Sequence, residues 1–131
     1  MKTINHLFIC AALFLIAACA EPTPQLASKM FGNVTLYYND SISPTQVDDL
    51  GNYITQVIKL NDNDAQVVKN NNTYQVKLRF NDGMEKNEVA TKKIELVAQE
   101  ISSTFFNNAQ VEIHACDANF NTLRVYPMAT E

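Results

Sequence analysis

Two stretches of helical periodicity, each followed by two stretches of strict two-residue alternation, constrain this chain more than any other feature. In residues 43–60, Val47, Leu50, Ile54, Val57 and Ile58 recur at steps of three and four, which predicts one apolar stripe on a helix, with Gly51 beside it for close approach to a sheet. Ser43 followed by Pro44 and then Gln46 supplies the N-cap, the first-turn proline and the capping-box partner that start such a helix. In residues 88–106 a second stripe runs through Val89, Ala90, Ile94, Val97, Ala98, Ile101 and Phe105. The clearest strand is 73–80. Tyr74, Val76, Leu78 and Phe80 turn one way, and Thr73, Gln75, Lys77 and Arg79 the other. Similar alternation marks 33–38, 65–69, 109–116 and 122–126, with turn-forming Asn, Asp and Gly between the segments.

The resulting order, β-α-β-β-α-β-β, predicts an α+β two-layer sandwich: a mostly antiparallel sheet of about five strands with two helices on one face. A helix–hairpin unit occurs twice, and Ala65-Gln66-Val67 and Ala109-Gln110-Val111 open the equivalent strands. The arrangement resembles a ferredoxin-like fold extended by one strand, a likeness of architecture that implies no activity.

The N-terminus carries an address. Lys2 and the apolar run 7–18 have the make-up of an export signal. The run is too short to span a bilayer, which takes about 20 apolar residues, and Glu21, Pro22, Thr23 and Pro24 follow it closely. Ile16-Ala17-Ala18-Cys19 resembles the lipobox of bacterial lipoproteins. That resemblance implies cleavage before Cys19, acylation of its thiol, and a membrane partnership made through the N-terminal lipid. Ala20 after the cysteine implies the outer membrane, with the domain facing the periplasm. The expected divisions are a signal peptide at 1–18, a lipidated tether at 19–30 and a single domain at 31–131. Removal of residues 1–18 from the 131 leaves 113, enough for one core.

Charge and cysteine content exclude several classes. The net charge of −4 becomes −5 once Lys2 is removed, and no basic block remains to neutralise a phosphate backbone, so nucleic acid is not an expected partner. Cys10 lies in the expected signal and the lipobox resemblance implies acylation of Cys19, which would leave Cys116 without a mate for an intramolecular disulfide. Three glycines provide no phosphate-cradling loop. No cofactor is expected.

If helices cover one sheet face, the other gathers Tyr37, Lys77, Arg79, His114, Arg124 and Tyr126, together with Gln75, Glu112 and Cys116. Tyr and Arg suit recognition because they supply contact area and bidentate hydrogen bonds. The plain alternative is a solvated face with weak cross-strand pairs. His114 and Cys116 share that face and both can ligate zinc or copper, but two ligands make no site without carboxylates such as Glu112 or a second subunit. As a nucleophile and base they stand about 7 Å apart along the strand, too far for a ready-made pair. The tract from Val111 through Cys116-Asp117-Ala118-Asn119-Phe120 to Leu123-Arg124-Val125 is similar to small bacterial domains of unknown function. The expected role is a non-enzymatic binding or accessory module whose partner is an envelope protein or peptide. The alternatives are a small enzyme using His114, Cys116 or Tyr126, and a structural lipoprotein.

Overall fold

The computed structural model describes residues 25–59, 64–80 and 83–129; the expected signal peptide and Cys19 lie outside them. Six strands form one sheet whose spatial order equals its chain order: β1 (Ala27–Phe31), β2 (Val34–Tyr38), β3 (Ala65–Asn70), β4 (Thr73–Arg79), β5 (Gln110–Cys116) and β6 (Thr122–Pro127). The pairs β1–β2, β3–β4 and β5–β6 are antiparallel hairpins. The hairpins adjoin through the parallel pairs β2–β3 and β4–β5. A parallel pair needs a crossover, supplied here by α1 (Pro44–Tyr53) with its π-helical continuation (Ile54–Ile58), and by α2 (Glu88–Phe105). Both helices cover one face of the sheet, the one on which Leu36, Val67, Val76, Leu78, Ile113 and Ala115 are buried.

The two-layer α+β arrangement is thus the one the periodicity predicts, with six strands in place of about five and a mixed sheet. The ferredoxin-like likeness stops at element order. That fold is a split βαβ, with a strand inserted between the parallel pair; here each crossover lands on the adjacent edge. The additional strand, β1, begins inside the segment expected to be tether. It is short, exposed except at Phe31 and confined to the sheet edge, so it carries little apolar alternation.

Local rules start both helices. Gln46 N–H donates to Ser43 Oγ at 3.2 Å and Ser43 N–H to Gln46 Oε1 at 3.0 Å, the reciprocal capping box. Asn87 caps α2, its Oδ1 accepting from the Val89 and Ala90 amides at 3.0 and 3.2 Å. Lys59, in the left-handed region at φ 59°, ends the π-helical turn.

Between the layers, Val34, Leu36, Val67, Val76, Leu78, Val111 and Ile113 of the sheet meet Val47, Leu50, Ile54, Ala98 and Ile101 of the helices. The predicted α2 stripe is corrected at its start: Val89 is 73 % exposed, and full burial begins only at Ala98.

β1 is held from the helix side by the ring of Phe31, which lies where a Cβ on Gly51 would stand, and by the exposed pair Lys29–Asp48, which contributes little. Gly51→Ala is therefore expected to cost about 1–3 kcal/mol through displacement of that ring. Amide exchange should accelerate in β1 selectively. Unchanged protection there would show that Phe31 turns aside freely.

Candidate functional site

The open face of the sheet is ordered by register. One row crosses all six strands: Ser28, Tyr37, Gln66, Lys77, His114 and Val125 are successive partners. A neighbouring row carries Arg79, Cys116 and Thr122. Tyr37, Lys77, Arg79 and His114 therefore lie on one face, as the alternation predicts.

Arg124 and Tyr126 do not. They pair with Ala115 and Ile113, whose side chains belong to the helix-covered face, so both point to that side. The β5–β6 register shifts at Ala115/Cys116, and the apolar Leu123 and Val125, expected inside, are 55 % and 42 % exposed. A one-residue slip moves every side chain to the opposite face, and an edge strand with Arg and Tyr at alternate positions reads equally well either way. Tyr126 is fully buried in the core cluster with no hydrogen-bond partner for its hydroxyl among the described residues. Arg124 stacks over its ring at 4.9 Å and donates from Nη1 to the Glu85 carbonyl at 2.7 Å, tying the 3-10 turn Met84–Lys86 to β6.

Where the two rows meet β2 and β3, the open face is indented by a cleft of about 290 Å³ lined by Leu26, Tyr37, Asp64, Gln66, Arg79 and Phe120. Phe120 forms its wall. The Arg79 guanidinium lies 4.6 Å from the Phe120 ring centroid, and Tyr37 meets the same ring edge-on at 6.4 Å. Sequence reading missed Phe120 because it sits in a turn; its signal is a lone aromatic among Asp117, Ala118, Asn119 and Asn121. It adopts φ 60°, a conformation uncommon for a bulky residue.

Asp117 imposes that turn. Its Oδ1 accepts from the Asn119 and Asn121 amides at 2.9 and 3.0 Å, and its Oδ2 from the Asn121 side chain at 3.2 Å. The Asn121 amide above all, then Asn119, the Asn121 side chain and the nearby Arg79 charge hold the Asp117 carboxyl below its ordinary 3.8. A carboxyl with a lowered folded value stabilises the turn at pH above the unfolded value, and that contribution is lost as pH falls through the folded one. Phe120 is accordingly expected to keep its position down to the ordinary aspartate range and to leave Arg79 only in stronger acid. Asp117→Ala should release it at neutral pH. Ring-proton shifts of Phe120 followed through an acid titration check both.

Beside the cleft, His114 is clamped in the sheet, 7 % exposed, with Nε2 3.0 Å from Glu112 Oε2 and Nδ1 3.0 Å from Thr122 Oγ1. The order carboxylate, imidazole, hydroxyl fixes the ring. Cys116 does not extend it into a nucleophile–base pair: the thiol donates to the His114 carbonyl at 3.5 Å and lies 4.0 Å from Thr122 Oγ1 rather than on the imidazole. Cys116 is fully buried, and burial pushes its thiol up from 9.0, against the lowering effects of Thr122 and Lys77. A reactive cysteine needs the reverse shift. Among the described residues, no three His, Cys, Asp or Glu side chains gather so as to hold a metal ion, and no helix is long and apolar enough to cross a membrane.

Residues 29–126 match the N-terminal domain of a protein family to which no function is attached. No curated protein and no solved structure matches the chain.

Proposed function

The chain belongs to this family of N-terminal domains, and on that footing we propose that it is a binding or accessory module of the cell envelope, non-enzymatic, which presents the open sheet face to an envelope protein or peptide. The observation that carries the reading is the cleft formed by Tyr37, Gln66, Arg79 and Phe120, an arginine stacked on an aromatic ring beside a second aromatic. Such groups dominate recognition surfaces because they bring large area and directed donors with few rotamers to freeze. The proposed anchor is the lipid on Cys19, holding the module at the outer membrane with its domain in the periplasm; the joined acyl chains would fix it stably without contact from the domain.

A photo-crosslinking residue placed at Gln66, which lines the cleft, is expected to capture a discrete envelope protein or peptide in intact cells. The same residue at Lys92, on the outer side of α2, should capture none, and Arg79→Ala should abolish capture at 66. Equal capture from both positions would refute the open-face reading. For the anchor, the mature chain should begin at an acylated Cys19, and Cys19→Ser should release it from membranes; an unmodified Cys19 at the mature terminus would refute lipidation.

A second reading, a small hydrolase, is favoured by one observation, the Glu112–His114–Thr122 line. Thr122 is exposed and its hydroxyl touches the imidazole, as an activated nucleophile would. The raised Cys116 thiol opposes the variant of this reading that relies on cysteine.

A further inference from the structure

Arg79 sits half-buried in the cleft and makes no hydrogen bond among the described residues. Among the described residues its nearest opposite charge, Asp64 Oδ2, stands 3.7 Å from Nη1, past hydrogen-bonding reach, and its Nε is buried with no partner among them. A guanidinium taken this far from water normally meets a planar oxyanion through two N–H groups. Phe120 lies against it, with the guanidinium carbon 4.6 Å from the ring centroid, and covers one side of the group. Asp64, however, borders the same cleft and is equally without a hydrogen bond among the described residues. A bare anion approaching Arg79 would be repelled by Asp64, and a bare cation approaching Asp64 would be repelled by Arg79. A second described carboxylate that interacts with Arg79, Asp117, is already engaged by Asn119 and Asn121. The ligand that satisfies Arg79 and Asp64 together carries both signs, side by side.

We propose that this cleft binds a zwitterionic α-amino-acid centre, its carboxylate on Arg79, its ammonium on Asp64, and its side chain against Tyr37 and Phe120. The inference rests on the open face being the working surface. The geometry closes: an ammonium nitrogen and a carboxylate oxygen on one carbon stand about 3 Å apart by ordinary bond lengths. That matches the 3.7 Å between Nη1 and Oδ2, with two charge-assisted hydrogen bonds of about 2.8 Å completing the ring. Gln66 adds an amide able to donate or accept at the margin. A cleft of about 290 Å³ lies at the small end of ligand sites, about 300–1,000 Å³, and so takes one residue rather than a long peptide.

Alanine, acetate, alanine amide and the dipeptide alanyl-alanine, titrated at neutral pH into the detergent-solubilised full chain and read by the amide resonances of Gln66 and Phe120, test the proposal. Alanine should saturate the shifts. Acetate and alanine amide, each with one of the two charges, and the dipeptide, which separates them, should bind more weakly by roughly tenfold or more. Arg79→Ala should remove the response, and Asp64→Asn should bring alanine down to the level of acetate. Acetate as good as alanine would overturn the proposal in favour of a simple anion site; a dipeptide as good as alanine would overturn the single-centre geometry. No saturation by any probe would mean that Arg79 and Asp64 serve only each other. Crosslinking from Gln66 that survives such a result would refute this inference alone, whereas loss of both would also remove the open-face reading.

Discussion

Tyr126→Ala is expected to cost about 3–5 kcal/mol in urea unfolding, and Tyr126→Phe to be neutral or to gain about 1 kcal/mol. The contrast follows from burial. The ring is fully enclosed, with Phe80 at 6.4 Å and the Arg124 guanidinium over its face, so truncation leaves a cavity that the strand backbone cannot collapse to fill. The hydroxyl has no partner among the described residues, so its removal lifts a desolvation cost. Burial, more than the neighbouring Glu85 and Glu88, also raises the phenol above its ordinary 10.0, with Arg124 acting the other way. Tyr53 is pushed up to about 12 by burial and by its 2.9 Å bond to Glu100. A raised folded value contributes stability that is complete below the unfolded value and lost as pH rises through the folded one. The wild type should therefore lose stability above about pH 10, and Tyr126→Phe should make that loss shallower while leaving the part due to Tyr53. A loss of more than about 2 kcal/mol in Tyr126→Phe would show that the hydroxyl has found a partner.

The second large effect separates the two arginines. Arg124→Ala should lower stability by about 1.5–3 kcal/mol, the worth of a hydrogen bond from a charged donor, because Nη1 holds the Glu85 carbonyl at 2.7 Å. The ion pair with Glu88 at 3.6 Å adds little, since Glu88 is largely exposed. Capture by a crosslinker at Gln66 should survive this change. Arg79→Ala should do the opposite, removing capture with stability altered by less than about 1 kcal/mol, since the loose Asp64 pair is worth little. Stability lost at Arg79 and capture lost at Arg124 would invert the assignment and move the working surface to the helix side.

That separation also marks where sequence reasoning ran out. The first helix start was legible because Ser43 and Gln46 act on amides three residues away, the second helix through its apolar stripe rather than through its Asn87 cap, and β4 because its apolar positions repeat without interruption. Parity in β6 was not legible. It depends on the shift at Ala115/Cys116, a tertiary accommodation, and Leu123 and Val125 fit a core as well as Tyr126 does until the partner strand is known. β1 escaped for a related reason: an edge strand of Ala, Ser, Lys and Met has its place through β2 and Gly51 rather than through its own pattern. In the candidate site, Tyr37 and Arg79 were found by alternation, whereas Phe120 and Asp64 lie outside regular strands, where no periodicity marks which way a side chain turns. Nothing in a linear pattern measures the clamp that Glu112 and Thr122 place on His114, because Thr122 arrives from the next strand.

A sheet whose spatial order equals its chain order has a consequence for assembly. Each new hairpin pairs with the strand just completed, so contacts between strands stay local and the search for partners is short. A chain that emerges N-terminus first can add one helix and one hairpin at a time to a growing edge, without waiting for a distant segment to return. The same rule leaves β6 as the point of growth. One more helix–hairpin unit joined after it would extend the sheet by two strands and displace nothing already built.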